Sequence, residues 1–307
     1  MSIARSLLLY ASRSQRLAAA LRNRRFVGRA VNRFMPGEEF SAALAAARRF
    51  ADAGIGTVLT QLGENVATLA EAESVQRHYL DALRDIRQAA LPAQISVKLT
   101  QLGLEVDRAA CELALRSLVA GAAETGSTLW IDMEDSSYTD VTLDVFRRVR
   151  SEWPNVGVCL QAYLRRTPAD LESLLPLEPA IRLVKGAYAE PPAVAFPRKR
   201  DVDAAYYALA GRLLERAAGG KANPVFGTHD MRLVGRIRAR AAELGVPPRG
   251  CEFHLLYGIR ERDQRALAAE GEAVRVLVSY GSAWFAWYMR RLAERPANVW
   301  FVLKTLI

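Results

Sequence analysis

Short apolar and β-branched runs alternate with longer helical stretches along the chain from residue 54 onward. The predicted strands are 54–62, 94–100, 128–134, 156–163, 181–186, 224–229, 251–258 and 274–281. Helical periodicity between them is clearest over 105–123, 140–153, 201–218 and 231–245. Strands that alternate with helices form parallel βαβ units. Eight such units in about 250 residues predict an α/β fold of the (β/α)₈ barrel type rather than an open doubly wound sheet.

Length and composition favour one large domain. The chain has 307 residues, 51% of them hydrophobic, with no Pro/Gly/Ser-rich linker and no low-complexity tract. We expect a single barrel domain over residues 36–307, preceded by a basic helical segment over residues 1–35. No apolar run approaches the roughly 18 residues of a membrane-spanning helix. Three cysteines without metal-ligand or disulfide spacing favour a reducing compartment, which here means the cytoplasm.

Much of the net charge of +9 lies near the start of the chain, where residues 4–34 hold eight arginines and no acid. The apolar stretch within this segment is too short for a signal peptide, and more basic residues follow it. Two interpretations remain open: a helix that lies on an anionic membrane surface, and a packing helix with a solvated basic face. No nucleic-acid-binding module accompanies the charge, so we expect no nucleic-acid partner.

Long polar side chains stand at the carboxyl ends of the predicted strands. They are Glu64, Lys98, Asp132, Gln161, Lys185, His229 and His254. In a barrel the carboxyl ends of the strands form the active-site face, so these side chains are candidates for chemistry. The alternative is that polarity simply resumes wherever a strand ends.

The motifs of several common enzyme classes are absent. The chain has no G-x-S-x-G elbow, no P-loop and too few histidines for a histidine-rich metal cluster, so we expect no metal site. "GIGTVL" lacks the third glycine of a dinucleotide fingerprint, so a Rossmann cofactor site is not supported. The remaining charges set Lys98, Arg182, Lys185, Arg290 and Arg291 against Glu64, Asp132 and Glu294. Such a set suits an anionic substrate and a phosphate-bearing cofactor.

The segment after the last predicted strand places Trp287, Arg290, Arg291 and Glu294 at positions i, i+3, i+4 and i+7. These positions share one face of a helix. Two adjacent guanidinium groups repel each other unless an anion or an acid lies between them, and their planar forks match a carboxylate. The alternative is a solvated arginine pair on an exposed helix.

Seven motifs follow one another in an order that is specific to one family. They are "SVKLTQLG" (96–103), "WIDMED" (130–135), "LQAYLRRT" (160–167), "RLVKGAYAEP" (182–191), "THD" (228–230), "EFHLLYG" (252–258) and "WYMRRLAERPANV" (287–299). Over nearly the whole chain the sequence resembles the proline dehydrogenase family, above all its monofunctional bacterial members. The resemblance implies a distorted (β/α)₈ barrel with amino-terminal helices and a carboxyl-terminal helix that carries the substrate-binding arginines.

The resemblance also implies an activity and its cofactor. Members of the family hold FAD non-covalently at the carboxyl-terminal face of the barrel. They transfer a hydride from C5 of L-proline to the flavin N5, which yields Δ1-pyrroline-5-carboxylate, and pass the electrons to a quinone. Further implied partners are a pyrroline-5-carboxylate dehydrogenase and, through the basic segment, the inner face of the plasma membrane as a peripheral contact.

Individual residues receive roles from the same resemblance. Arg290 and Arg291 would bind the substrate carboxylate with Lys98 close to it, and Glu64 would pair with Arg291 as a gate. The candidates for catalysis are Lys98, Asp132 and Arg182. Asp132 would lie beside Lys98, and Arg182 would supply a cation near the flavin N5. The substrate pocket would be lined by Ala187, Tyr188, Leu256, Leu277 and Trp287. The cofactor would contact Asp132, Met133, Gln161, Arg182, Val184, Lys185, Gly186, Ala187, Thr228, His229, Asp230, His254, Arg291 and Glu294.

Departures from the family pattern concentrate around the substrate ring. Leu277 and Trp287 stand where the family has tyrosines, and His254 replaces a glutamine near the flavin. These changes leave two substrate interpretations open: L-proline, or a related cyclic or N-alkyl amino acid such as hydroxyproline, pipecolate or a biosynthetic intermediate. The alternative from another class is a non-catalytic barrel that binds FAD or a small anion.

Overall fold

A computed structural model describes Val31, residues 33–285, Tyr288 and Met289. Its elements in chain order are α1 (Phe40–Ala51), β1 (Gly56–Gln61), α2 (Leu69–Gln88), β2 (Ala93–Val97), α3 (Arg108–Glu124), β3 (Leu129–Ile131), α4 (Thr139–Arg150), β4 (Val156–Gln161), α5 (Thr167–Leu174), β5 (Ala180–Val184), α6 (Lys199–Ala218), β6 (Asn223–Gly227), α7 (Met231–Glu243), β7 (Glu252–Leu256), α8 (Glu261–Ala269) and β8 (Ala273–Tyr280). Short 3₁₀ helices cover Thr100–Leu102, Ser136–Tyr138 and Leu175–Leu177. Within these residues, every helix is too short or too polar to cross a lipid bilayer.

The strands form one closed barrel in which each strand pairs in parallel with the next along the chain. Closure is made by β1 and β8, which align from Gly56 beside Arg275 to Gln61 beside Tyr280. The predicted (β/α)₈ barrel is therefore confirmed, and each predicted run overlaps one observed strand, although β2, β5, β6 and β8 begin one residue earlier than predicted. The division of the chain at residue 35 stays a prediction.

Side chains alternate along the strands between two apolar environments. Outward-facing residues such as Leu59 and Phe226 share the main hydrophobic core with helix residues such as Tyr79 and Leu115. A smaller apolar cluster occupies part of the inside of the barrel and consists of Val58, Trp130, Ala180 and Val225, with Leu277 packed against it. Strands that are buried on both faces appear in the sequence as nearly continuous apolar runs, which is why the pattern locates all of them.

Several observed elements are shorter than predicted, and for two of them the reason lies in side-chain hydrogen bonds. The helix predicted from residue 105 begins at Arg108 instead, because the Asp107 carboxylate accepts the first free backbone N–H groups. The strand predicted over 128–134 ends at Ile131. The carbonyl groups of Met133 and Glu134 accept hydrogen bonds from the Gln161 side chain rather than from a strand neighbour.

Candidate active site at the carboxyl ends of the strands

An ion pair joins the buried Arg182 of β5 to the half-buried Asp132, which follows β3 directly. Arg182 is 3% exposed, and its Nη2 donates both to Asp132 Oδ1 and, at 2.9 Å, to Ser96 Oγ. Its guanidinium carbon lies 5.1 Å from the centre of the Trp130 ring. A buried charge is costly unless it is paired, so Asp132 is what permits a guanidinium at this depth.

One nitrogen of this guanidinium is uncommitted. Arg182 Nη1 is buried and has no hydrogen-bond partner among the described residues. The hydrogen bonds of Nη2 and the contact with the Trp130 ring hold the guanidinium in place, so Nη1 is a donor of fixed orientation. Asp132 was expected beside Lys98; its ion-pair partner is Arg182, although its backbone N–H donates to Val97 O, one residue before Lys98.

A second buried acid, Glu134, lies in the loop after β3. It is 3% exposed and accepts hydrogen bonds from the Thr100 N–H at 3.1 Å and from the Thr100 hydroxyl at 2.6 Å. Burial raises the pKa of Glu134 to about 7, against the opposing effect of the Thr100 bonds and of Lys98. Glu134 is not among the residues predicted for the site, although it is part of "WIDMED".

Gln161, the last residue of β4, joins this loop to the next strand. Its Nε2 donates to the carbonyl groups of Met133 at 3.3 Å and Glu134 at 3.1 Å. Its Oε1 is buried and finds no partner within the described part of the chain. The amide is thus oriented by two bonds, with a free acceptor on its other side.

The loop after β5 contains Lys185, Gly186, Ala187 and Tyr188, all of them partly buried. Gly186 has φ +110°, and a Cβ at this position would lie 2.2 Å from Tyr163 Cδ1. The Tyr163 N–H also donates to the Lys185 carbonyl at 2.9 Å. Glycine is required here both by the backbone angle and by the tyrosine ring packed against it.

Lys185 belongs to a cluster of two lysines and two aspartates. Its Nζ lies 2.5 Å from Asp203 Oδ1 and 3.4 Å from Asp230 Oδ2, and Lys199 contacts the same two acids. Burial alone raises the pKa of Asp203, but the hydrogen bonds from Lys185 and Lys199 outweigh it and the net shift is downward. Asp203 is likewise absent from the predicted site; it lies in α6, so no local motif links it to Lys185.

Thr228 and His229 follow β6 and contact the end of β7. His229 Nε2 accepts a hydrogen bond from the Leu256 N–H at 3.0 Å, which requires the neutral tautomer with its proton on Nδ1. Asp230 caps α7 by accepting the Arg232 N–H, and its own N–H donates to Thr228 Oγ1. The "THD" motif is therefore a turn that holds the ends of β6 and β7 together.

His254 was expected at the end of a strand and lies instead in the middle of β7, inside the barrel. The predicted run 251–258 extended beyond the strand at both ends. His254 Nε2 is 3.1 Å from Glu252 Oε2, and Arg275 Nε is 2.9 Å from the same oxygen. Burial lowers the pKa of His254 to about 4, although Glu252 opposes this shift. The imidazole is therefore neutral.

Apolar side chains form one wall of the mouth. Leu256 and Leu277 are register partners on β7 and β8, and both are partly exposed. Leu277 also packs on the cluster inside the barrel. These two residues can line a pocket for an apolar ring.

A family model described as Proline dehydrogenase matches residues 43–304. The chain belongs to the proline dehydrogenase family. It is 37% identical over 275 residues to proline dehydrogenase 1 of Bacillus subtilis (strain 168), covering 90% of each chain. It is 37% identical over 280 residues to proline dehydrogenase of Deinococcus radiodurans, covering 90% of this chain and 89% of that relative.

Solved structures of proline utilization A (PutA) have the same fold. The chain superposes on PutA from Bdellovibrio bacteriovorus inactivated by N-propargylglycine with a TM-score of 0.78 and 24% identity. The match covers 85% of this chain and 32% of that chain, so this chain spans about a third of that larger protein. The family resemblance inferred from the motifs is confirmed, and the barrel is the one found in these structures.

Part of the proline dehydrogenase site lies beyond the described residues. Trp287, Arg290, Arg291 and Glu294 are outside them. The carboxylate clamp and the gate between Glu64 and Arg291 therefore stay predictions. The described members of the predicted site lie on strands of the one closed barrel or in the loops that follow those strands, with His254 in the middle of β7.

Proposed function

We propose that the chain oxidises L-proline to Δ1-pyrroline-5-carboxylate with non-covalently bound FAD, in the breakdown of proline to glutamate. The observation that carries the proposal is the pairing of the buried Arg182 with Asp132 in the barrel. It occurs in a chain that is 37% identical to a proline dehydrogenase over 90% of its length.

The described residues fit a flavin. Arg182 Nη1 is a buried donor and Gln161 Oε1 a buried acceptor, and neither has a partner among the described residues. An isoalloxazine ring carries carbonyl oxygens and an N–H group that complement both. The residues that would hold the cofactor are Asp132, Met133, Gln161, Arg182, Val184, Lys185, Gly186, Ala187, Thr228, His229 and Asp230, together with Arg291 and Glu294. His254 lies beneath them, in the middle of β7. When bound, FAD supplies the acceptor for the hydride that leaves C5 of proline.

Arg182 would place a fixed positive charge next to that acceptor. Its orientation is set in advance by Asp132, Ser96 and the Trp130 ring, so little reorganisation is needed when negative charge develops. Asp132 balances the charge of Arg182, which keeps the buried site close to neutral.

The substrate would be held by its carboxylate and by its ring. Arg290 and Arg291 form the proposed carboxylate clamp with Lys98 nearby, and orientation of this kind contributes several orders of magnitude to a rate. Leu256 and Leu277, with Ala187 and Tyr188 and the proposed Trp287, would enclose the ring and exclude water. Proline would react as the neutral amine, because the nitrogen lone pair must assist departure of the hydride.

The proposed electron acceptor is a membrane quinone. The eight arginines of residues 4–34 support a peripheral contact of a cytoplasmic protein with the inner face of the plasma membrane. The product is a cyclic imine that opens to an aldehyde, so a pyrroline-5-carboxylate dehydrogenase is the proposed partner for the next oxidation.

The test is anaerobic reduction of the purified protein by a panel of cyclic amino acids. We expect a yellow protein that L-proline bleaches. A colourless protein that takes up no added FAD would overturn the enzyme assignment and favour a non-catalytic barrel. Leu277, which stands where the family has a tyrosine, supports related cyclic amino acids as a second class of candidate substrate. If hydroxyproline or pipecolate bleaches the protein and proline does not, that amino acid replaces proline as the proposed substrate.

A further inference from the structure

Two buried polar atoms inside the barrel lack a hydrogen-bond partner among the described residues and have complementary character. They are Arg182 Nη1 and His254 Nδ1, on residues that are 3% and 4% exposed. Both side chains contact Trp130: the guanidinium carbon is 5.1 Å from its centroid, and the imidazole and indole centroids are 5.8 Å apart. Orphaned buried polar atoms are costly, so this pair needs an explanation.

The tautomer of His254 follows from its other nitrogen. Nε2 lies 3.1 Å from the Glu252 carboxylate, which can only accept, so Nε2 carries the proton. Because the imidazole is neutral, Nδ1 must present a lone pair. Arg182 Nη1 can only donate. The two orphaned atoms are therefore an acceptor and a donor inside the same barrel.

Glu252 is itself held in place from the amino-terminal end of the barrel. Arg275 Nε donates to Glu252 Oε2 at 2.9 Å, while Arg275 Nη1 donates to the Pro92 carbonyl at 2.9 Å. Gly56 leaves room for this arginine, because a Cβ at residue 56 would lie 2.5 Å from Arg275 Nη1. The chain Arg275–Glu252–His254 thus runs from one end of the barrel to a point beneath the candidate active site.

The indole that both side chains contact is also fixed. Trp130 Nε1 donates to Gln94 Oε1 at 2.7 Å, and Trp130 is 2% exposed. Neither Arg182 nor His254 can therefore move far without disturbing a hydrogen-bonded ring. One water that bonds both would satisfy the two orphaned atoms, since buried waters are usually held by polar groups that lack other partners.

We propose that His254 is a positioning residue for Arg182, and that its Nδ1 accepts a hydrogen bond from Arg182 Nη1 through one buried water. The Glu252–Arg275 pair selects the tautomer that makes this possible. His254 then fixes the plane of the guanidinium from below, as Asp132 and Ser96 fix it from the side. The consequence for the cofactor rests on the proposed function: a fixed Arg182 stabilises the reduced flavin better than a mobile one.

The first test is the ¹⁵N spectrum of the histidine rings in the full-length protein. The chain has three histidines, so His78→Gln and His254→Gln variants suffice to assign the signals. We expect His254 in the neutral form with its proton on Nε2. In Glu252→Gln the side-chain amide can donate to Nε2, and we expect the Nδ1-protonated form to appear. A His254 proton on Nδ1 in the unmodified protein would overturn the proposal, whether or not the protein oxidises proline.

The second test compares two substitutions of His254 in the flavin-loaded protein. His254→Leu leaves Arg182 without the acceptor, so we expect a more negative flavin potential and about a tenfold loss of kcat/KM for the substrate. His254→Gln keeps an acceptor oxygen, so we expect it to restore most of both. His78→Gln is the matched control and should change neither. If the leucine variant keeps the potential of the unmodified protein, or if glutamine rescues nothing, His254 does not position Arg182.

Discussion

Thr100 and Glu134 lie 34 residues apart and form a two-point contact beneath the mouth of the barrel. The backbone N–H and the hydroxyl of Thr100 both donate to the one carboxylate. This contact ties the loop after β2, which carries Lys98, to the loop after β3, which carries Asp132. It also holds an acid at a depth where its charged form is disfavoured.

Glu134 should make stability depend on pH in the direction opposite to that of an ordinary paired acid. Its pKa is raised in the folded state to about 7, so the folded protein binds the proton more tightly than the unfolded chain does. The contribution of Glu134 to the free energy of unfolding is therefore largest below the pKa of the unfolded chain, and it declines as pH rises from about 4.5 to about 7. Melting temperatures across this range should show a slope in the unmodified protein that Glu134→Gln reduces. Glu73→Gln, at an exposed glutamate, should leave the slope unchanged.

Removal of the Asp132 charge should be costly because it leaves Arg182 buried without a counter-charge. We expect Asp132→Asn to lower the free energy of unfolding by about 3 kcal/mol, measured by urea denaturation. The double variant Asp132→Asn/Arg182→Met should recover part of that loss, because the uncompensated charge is gone. If Asp132→Asn and the double variant were equally stable, the uncompensated charge of Arg182 would not be the cause of the loss.

Gly186→Ala should destabilise the site more than the addition of one methyl group suggests. The added Cβ meets the Tyr163 ring at 2.2 Å, at a φ of +110° that other residues rarely adopt. We expect a loss of at least about 2 kcal/mol in unfolding free energy and weaker retention of added FAD. Gly211→Ala is the matched control, since a Cβ there has nothing within 4 Å and lies within α6. The control should be neutral or slightly stabilising.

Leu277 should influence which ring the mouth accepts. Leu277→Tyr adds volume beside Leu256, so we expect the ratio of kcat/KM for pipecolate over proline to fall about tenfold. Leu113→Tyr, on the outer surface where Leu113 is 67% exposed, should leave the ratio unchanged. An unaltered ratio in Leu277→Tyr would remove Leu277 from the substrate pocket.

Arg290→Met should weaken substrate binding if the carboxylate clamp exists. Loss of a charge-assisted hydrogen bond to a desolvated carboxylate corresponds to roughly a tenfold to hundredfold rise in KM. Arg232→Met is a suitable control, because the Arg232 side chain is 91% exposed. Kinetics that do not distinguish the two variants would contradict the clamp.

Three features of the site could not be predicted from the sequence: the burial of Glu134, the partner of Asp203 and the position of His254 within its strand. Glu134 stands inside a recognised motif, but its burial depends on the loop around Thr100. Asp203 is 18 residues beyond Lys185 on a helix, and no spacing rule connects them. His254 was predicted in the correct strand but at its end rather than in its middle, because the ends of an apolar run do not mark where strand pairing stops.

The sequence by itself determined the eight strands, the parallel barrel and the family. Each of these depends on local periodicity or on short motifs, which are readable without knowing what lies opposite. Only the tertiary structure decided which charges meet: Arg182 bonds Ser96 across 86 residues of chain, and His254 shares Glu252 with Arg275. Such contacts depend on strand register and on closure of the barrel. A shift of one residue would turn every one of these side chains to the other face of the sheet.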